Sequence, residues 1–122
     1  MDKVFINHTN HPSANWSVEQ KTAAETFGKI VDVPFPDVPP NFNTAEVHEL
    51  VLNKLQEILK LAPTAVLCQG EFNYTFAMVE ELKKRGITVM AATSERVVSE
   101  VTEDDGIAKR VSVFNFVQFR PY

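Results

Sequence analysis

The sequence predicts an α/β domain with a Rossmann-like order of elements, in which a mostly parallel sheet is covered by helices on both faces. Short runs of β-branched and aromatic residues alternate with amphipathic stretches that begin at helix-capping residues. The length of 122 residues and a hydrophobic content of 44% are enough for one core, and a second core would be hard to fit. We therefore expect a single three-layer domain over residues 1–122.

The first strand, the first helix and the second strand are predicted from the N-terminal part of the chain. Residues 3–7 form a short apolar run that is typical of a buried strand. Ser17 and Gln20 have the spacing of a capping box, so a helix should begin there and end near Gly28. Residues 29–35 follow as a second strand, and the prolines after it exclude a helix over residues 36–42.

The middle of the chain completes the alternation of helices and strands. Asn43 and Glu46 predict a second capping box, which opens a helix with an apolar stripe that Pro63 closes. The remaining predicted elements are a buried strand over residues 64–68, a helix over residues 72–85 and a strand over residues 87–92. This β-α-β-α-β-α-β order calls for right-handed crossovers and a parallel sheet.

The C-terminal part of the chain has a different pattern. Residues 96–102 and 109–119 are extended runs on either side of the turn-forming sequence Glu-Asp-Asp-Gly at residues 103–106. They predict a hairpin whose last strand lies antiparallel on the edge of the sheet.

Composition and charge exclude several classes of function. The net charge of −4 argues against a DNA duplex as the main partner, because such binders present a broad basic face. No apolar run approaches the roughly 20 residues that span a bilayer, and no secretion signal opens the chain, so we expect a cytoplasmic protein without a membrane partner. The single cysteine, Cys68, suits a reducing compartment, and no metal or other cofactor is expected.

Candidate ligand-binding residues cluster in three loops. In an open parallel sheet, ligands bind beyond the carboxyl ends of the strands. This rule selects residues 7–13 after the first strand, residues 69–75 after the third and residues 93–96 after the fourth. The candidate binding residues in these loops are Asn7, Ser13, Gln69, Gly70, Glu71, Phe72, Asn73, Thr75, Thr93 and Ser94.

The second of these loops leads from a strand into a helix and carries the clearest signal. Gly70 would let the backbone approach a ligand closely, and the free amides of the first helical turn attract anions. The alternative is that Gly70 only permits a tight turn and that Asn73 and Thr75 are solvated. The loop is not a phosphate-binding P-loop, because no Gly-Lys-Ser/Thr sequence follows.

His8 and Arg96 are the candidate catalytic residues. His8 directly follows a buried strand, and a histidine there could act as an acid or a base near neutral pH. Arg96 could hold phosphate oxygens in a bidentate fork, or it could form a surface salt bridge with Glu95 or Glu100. His11 is expected only to cap the backbone of its loop. No Ser/His/Asp arrangement is apparent.

Three short motifs together resemble one group of proteins. They are Asn7-His8 after the first strand, the Gln-Gly-Glu-Phe turn at residues 69–72 and the Val-Gln-Phe-Arg-Pro-Tyr tail at residues 117–122. Over nearly its whole length the chain resembles the small CRISPR-associated accessory proteins of the Csx type, which are encoded beside type III systems. It departs from them at Asn7, where a serine is usual, and this weakens any role for a hydroxyl group there.

The resemblance implies a CARF-related homodimer that binds a cyclic oligoadenylate, either cyclic tetra-adenylate or cyclic hexa-adenylate. It implies a ring nuclease that switches off antiviral signalling by metal-free attack of a ribose 2′-oxygen on the adjacent phosphorus, or a protein that only binds the messenger. On this hypothesis Gln69, Asn73 and Thr75 hold phosphates. Arg96 offsets charge, and His8 is the acid or base.

Two other classes of function remain open. A flavodoxin-like receiver would need an acidic cluster after the first strand, where this chain has Asn7 and His8, and a flavin domain would give a coloured protein. A structural interaction module would have no affinity for a small ligand and would bind a partner protein instead.

Overall fold

The computed structural model describes residues 2–122, which form a five-stranded sheet with helices packed on both faces. In chain order the elements are β1 (Val4–His8), α1 (Val18–Glu25), β2 (Lys29–Asp32), α2 (Thr44–Lys60), β3 (Ala65–Cys68), α3 (Phe72–Lys84), β4 (Thr88–Thr102) and β5 (Ala108–Pro121). A short 3-10 turn, Ser13–Asn15, precedes α1. No helix in the described part of the chain has the length and apolar character that crossing a bilayer requires.

The sheet has the strand order β2-β1-β3-β4-β5. β1 pairs in parallel with β2 and with β3, β3 pairs in parallel with β4, and β5 lies antiparallel to β4 at the edge. The predictions of a mostly parallel sheet and of an antiparallel C-terminal pair are therefore confirmed. The strand order reverses between β1 and β3, and open α/β sheets commonly bind ligands at the carboxyl ends of the strands beside such a reversal.

Two helices begin at the capping residues that the sequence predicts. The Asn43 side chain accepts a hydrogen bond from the Glu46 amide at 2.9 Å, and Glu46 Oε1 accepts one from the Asn43 amide at 3.0 Å, so α2 has a complete capping box. At α1, Ser17 Oγ accepts from the Gln20 amide at 3.2 Å, and only this half of the predicted box is formed. Each cap satisfies an amide that has no partner within its helix.

Alternating side chains of the strands build a separate core on each face of the sheet. The face that packs against α2 and α3 receives Ile6, Val66 and Val89. The opposite face, which packs against α1, receives Phe5 and Leu67. We refer to these as the α2–α3 face and the α1 face.

The connection between β2 and α2 covers the α2–α3 face. The chain stays beside β1 for a short distance after β2, since the Val33 amide donates to the Asn7 carbonyl at 3.0 Å. Further along, Phe35, Val38 and Phe42 pack against the core of the α2–α3 face. The proline-rich part of this connection therefore covers the hydrophobic core of this face.

β4 corrects one prediction about the loops. The sequence predicts a loop over residues 93–96, but β4 runs through these residues without interruption. β3 ends at Cys68, and beyond Met90 the chain pairs with β5 alone. The antiparallel ladder to β5 supplies backbone hydrogen bonds that a loop would leave to water, so the strand continues past the rest of the sheet. We refer to residues 94–116 as the arm.

Candidate functional site

A pocket of about 880 Å³ opens on the α1 face, at the carboxyl ends of β1, β3 and β4. Its wall is formed by the loop after β1, the start of α1, the ends of β3 and the parallel part of β4, and the base of the arm. Polar residues of this wall include Asn10, His11, Asn15, Gln20, Ser94 and Asn115, and the aromatic ones are Trp16, Phe114 and Phe116. The pocket lies at the edge of the sheet that the rule for parallel sheets selects.

The structure brings only part of the predicted site together. The predicted binding residues that line the pocket are Gln69, Gly70, Thr93 and Ser94. The predicted residues that lie outside its wall are Asn7, His8, Ser13, Glu71, Phe72, Asn73, Thr75 and Arg96. The predicted loops therefore meet, but several of their polar side chains are used for other purposes.

Gln69 joins the end of β3 to β4. Its Oε1 accepts a hydrogen bond from the Ala92 amide at 2.7 Å, and its Nε2 donates to the Ala92 carbonyl at 3.4 Å. The side-chain amide replaces the backbone pairing that β3 no longer supplies beyond Cys68. Gln69 is thus a structural part of the wall, and its amide is already occupied.

Gly70 makes room for an aromatic ring. A Cβ atom at this position would overlap the ring of Phe35. Phe35 in turn packs edge-on against Tyr74, with 4.7 Å between the ring centroids. The glycine is therefore needed for close packing between the β2–α2 connection and the start of α3, a role that differs from both of the roles predicted for it.

The N-terminus of α3 carries its own negative charge. Glu71 Oε1 accepts a hydrogen bond from the Tyr74 amide at 2.8 Å and so caps the helix. Phe72 and Asn73 are exposed, and Thr75 is buried, with a hydroxyl group that has no hydrogen-bond partner within residues 2–122. A carboxylate at this helix end takes the place of the expected anion and would repel a phosphate.

His8 is completely buried on the α2–α3 face, away from the pocket. Its Nδ1 lies 2.6 Å from the Val33 carbonyl oxygen, and its Nε2 lies 2.7 Å from the Tyr74 hydroxyl oxygen. A carbonyl oxygen can only accept, so Nδ1 carries the proton and the Tyr74 hydroxyl donates to Nε2. Both ring nitrogens are occupied, and the imidazole joins β1, the segment after β2 and α3.

Burial keeps this pair of side chains uncharged. Desolvation lowers the pKa of His8 below its ordinary value and outweighs the hydrogen bond to Val33, which acts in the opposite direction. Burial also raises the pKa of the Tyr74 hydroxyl. The alternation of side chains explains the placement of His8: Phe5 and Asn7 point to the α1 face, so His8 points to the other one. In this position His8 does not reach a ligand in the pocket.

Asn7 organises the loop that follows β1. Its Nδ2 donates to the His11 carbonyl at 2.9 Å and to Asp32 Oδ1 at 3.0 Å, and its Oδ1 accepts from Thr9 Oγ1 at 2.8 Å. Asp32 Oδ2 also accepts from the Ser13 amide at 3.2 Å. These bonds hold the loop against the ends of β1 and β2. Asn7 and Ser13 thus shape the wall of the pocket without lining it.

His11 lines the pocket, although the sequence predicts only a backbone-capping role for it. Its backbone carbonyl accepts from the Asn7 side chain and, at 3.2 Å, from Trp16 Nε1, and these bonds fix its place in the loop. The residue is exposed and belongs to the wall of the pocket. The signal for this role is its position in the loop after a parallel strand, which is the same signal that selected His8.

Thr93 secures the base of the arm. β5 has an extra residue, Val117, at this point, and the regular ladder is interrupted. Thr93 Oγ1 donates to the Gln118 carbonyl at 3.1 Å and accepts from the Gln118 amide at 3.2 Å. The hydroxyl group therefore supplies hydrogen bonds that the bulge removes from the ladder. Ser94, the next residue, begins the arm and lines the pocket.

Arg96 lies on the arm at the rim of the pocket. It is directly opposite Phe114, which lines the pocket, and it shares a face of β4 with Ser94. Its Nε donates to Ser112 Oγ at 2.7 Å, and within residues 2–122 it takes part in none of the salt bridges. The guanidinium group is therefore exposed beside the pocket and forms no ion pair with another described residue.

The pocket is polar and aromatic but carries little charge. Among the described residues, the ionisable side chains in its wall are His11 and Glu19, and no lysine or arginine lines it. Residues 2–122 contain no cluster of three or more side chains suited to hold a metal ion. Such a wall suits a ligand with flat rings and many hydrogen-bonding groups, because aromatic side chains stack on bases and amides bond to their edges.

Comparison with known proteins identifies a family. A search of proteins with curated function finds no match. A sequence model described as the uncharacterized protein MJ1673 family matches residues 3–120, which is nearly the whole chain. The chain therefore belongs to the uncharacterized protein MJ1673 family.

Proposed function

We propose that this protein is a CARF-related ring nuclease, which binds a cyclic oligoadenylate messenger of type III CRISPR immunity in the cytoplasm and cleaves it without a metal. The observation that carries the proposal is the wall of the pocket, which combines aromatic rings, amide side chains and one exposed imidazole. The resemblance of the sequence to CRISPR-associated proteins of the Csx type supports the choice of ligand.

The wall of the pocket suits adenine bases. Phe114 and Phe116 offer rings on which a base can stack, and such a contact contributes about 1–3 kcal/mol. The amide of Asn15 can form paired hydrogen bonds with the edge of an adenine. The volume of about 880 Å³ is typical of a small-ligand site. One pocket would therefore receive part of the ring.

Cleavage of the ring needs a proton acceptor, and we assign this role to His11 instead of His8. In the proposed step the ribose 2′-oxygen attacks the adjacent phosphorus, its proton passes to the His11 imidazole, and the bond from phosphorus to the 5′-oxygen breaks. The 5′-oxygen takes up a proton, and the linear product ends in a 2′,3′-cyclic phosphate. Holding the 2′-oxygen in line supplies a large part of the rate, and Arg96 at the rim offsets phosphate charge.

A passive binder of the same messenger is the second candidate. The low charge of the wall favours it, because no lysine or arginine of the described chain lines the pocket to stabilise a transition state. Both candidates share one binding site and differ in turnover.

The experiment that tests the proposal is incubation of the protein, in catalytic and in excess amounts, with cyclic tetra-adenylate and cyclic hexa-adenylate, followed by liquid chromatography. We expect linear products over many turnovers, and the His11→Ala variant should be slower by about 10²–10⁴-fold. His48→Ala is the matched control, because His48 is an exposed histidine of α2 and lies outside the pocket. It should keep the full rate.

Each other outcome has a distinct meaning. Intact ligand that co-elutes with the protein would support the passive binder. A ring that is neither cut nor bound would contradict both candidates and favour a structural interaction module. Full turnover by His11→Ala would remove the acid–base role but leave the binding site in place.

A further inference from the structure

The arm extends beyond the rest of the sheet as a ribbon of two strands. Residues 94–102 of β4 pair with residues 108–116 of β5, and no third strand pairs with them within residues 2–122. All of these residues are exposed except Phe116, which is half-buried. A hairpin without a further strand or helix to cover it is at best marginally stable in water. The arm therefore needs a partner surface.

One face of the arm is a stripe of valines. Val97 and Val113 are directly opposite each other. Toward the tip of the arm, Val111 lies two residues from Val113 and Val101 lies four residues from Val97, both on the same face. We refer to these residues as the valine stripe. Their exposed fractions are between 39% and 47%, so nothing in the described chain covers them. A contiguous apolar patch of this kind marks an interaction surface.

The molecule exposes more surface than a closed domain of its size. Its accessible surface is 8053 Å², whereas a monomeric protein of 13.7 kDa exposes roughly 6,600 Å². The excess of roughly 1,400 Å² is larger than the ~800 Å² that each partner contributes to a standard interface. The exposed area is thus sufficient for a stable complex.

The charges at the two ends of the valine stripe favour a second copy of this chain as the partner. On this face Glu95 lies at the base of the arm and Lys109 lies toward its tip, where it also pairs with Glu103 at 3.4 Å. In an antiparallel pair of arms around a two-fold axis, Glu95 of each copy would face Lys109 of the other. Between them the face carries valines and the uncharged Ser99, so two identical surfaces meet without repulsion between like charges.

We infer that the valine stripe is the dimer interface of this protein, and that it packs against the same stripe of a second copy whose arm runs antiparallel. The opposite face of each arm carries Phe114 and Phe116, which line the pocket of the same copy. The inference goes beyond the proposed function, because it names a surface that joins a second copy of the protein. It rests on exposed area, apolar packing and charge, and it does not require the proposed ligand.

The first test measures the mass of the protein in solution by analytical ultracentrifugation, without any ligand. Wild-type protein should sediment as a dimer of 13.7 kDa chains. Val97→Lys places a charge in the stripe and should raise the dimer dissociation constant by about 30-fold. Val98→Lys is the matched control, because Val98 is the next residue of β4, has 43% exposure against 41% for Val97, and points to the other face. It should leave the dimer unchanged.

A charge exchange tests the antiparallel arrangement by a route that leaves the valines intact. Glu95→Lys should weaken the dimer by about fivefold, which is the size of an exposed ion pair. The double variant Glu95→Lys with Lys109→Glu should restore it. Circular dichroism of each variant checks that the fold is retained.

Two results would overturn the inference: a wild-type protein that is monomeric at every concentration, or equal effects of Val97→Lys and Val98→Lys. Failure of the double charge exchange to restore the dimer would overturn the antiparallel arrangement. A dimer that uses the stripe but binds no cyclic oligoadenylate would count against the proposed function alone.

Discussion

The two histidines at the carboxyl end of β1 have opposite environments on the two faces of the sheet. His8 and His11 belong to the same strand exit, yet His8 is completely buried with both ring nitrogens bonded, whereas His11 is exposed in the wall of the pocket. On the α2–α3 face the rings of Phe35 and Tyr74 pack around His8, at centroid distances of 5.4 and 5.6 Å. On the α1 face the loop after β1, α1 and the arm leave a pocket between them. The two neighbouring histidines therefore differ in environment: one is bonded within the fold, and the other is exposed to the pocket.

The largest change in stability is expected from His8→Ala, and it would distinguish the roles of the two histidines. The substitution leaves the Val33 carbonyl and the Tyr74 hydroxyl buried without partners and opens a cavity, so the free energy of unfolding should fall by about 3–5 kcal/mol. His11→Ala should change it by less than about 0.5 kcal/mol, because His11 is exposed. Urea unfolding of both variants measures the difference. Equal losses of unfolding free energy in the two variants would contradict the different roles of His8 and His11.

Gly70→Ala should have the next largest effect. The added methyl group overlaps the Phe35 ring and should lower the free energy of unfolding by about 1–3 kcal/mol. Thermal unfolding followed by circular dichroism measures the loss. Combining Gly70→Ala with Phe35→Leu removes the ring that the methyl group meets. The double variant should therefore lose less than the sum of the two single variants, and strict additivity would contradict the proposed clash.

The smallest effect concerns pH. Burial lowers the pKa of His8 in the folded state, so between that pKa and the ordinary value of 6.5 only the unfolded state binds the proton. This contribution to stability is present above pH 6.5 and is lost as the pH falls from 6.5 through the folded-state pKa, by at most about 1.4 kcal/mol per pH unit. Urea unfolding between pH 8 and about pH 5 measures it.

A histidine comparison controls the pH experiment. His8→Gln removes the buried imidazole and should flatten this part of the pH dependence, whereas His48→Ala removes an exposed imidazole and should preserve it. An unchanged slope in His8→Gln would show that another group is responsible.

Much of the fold could be predicted because it depends on local patterns. The capping box at Asn43 and Glu46 marks the start of α2, and the apolar run at β3 marks a strand buried on both faces. The hairpin of the arm was predicted in the same way, but its unbroken continuity with the parallel part of β4 was not. Residues 93–96 are polar and resemble a loop, and they become a strand only because β5 pairs with them.

The candidate site was predictable by region more than by residue. The carboxyl ends of the parallel strands do surround a pocket, as the order of elements implies. The expected roles of Gln69 and Glu71 differ from those in the structure, because each side chain bonds to a backbone amide close to it in space. The role of Asp32 could not be predicted, since it depends on contacts with Asn7 and Ser13 that form only in the folded chain.

The sequence by itself determined the order of strands and helices along the chain, the ends of most helices and the edge of the sheet at which the pocket opens. These properties follow from periodicity, capping and chirality, which act over short stretches of chain. Only the tertiary structure decided that His8 is buried and His11 is exposed, and that Gly70 leaves room for the ring of Phe35. It also decided that the arm extends beyond the sheet with its valine stripe exposed. These outcomes depend on which distant segments come into contact, and short-range patterns carry no information about those contacts.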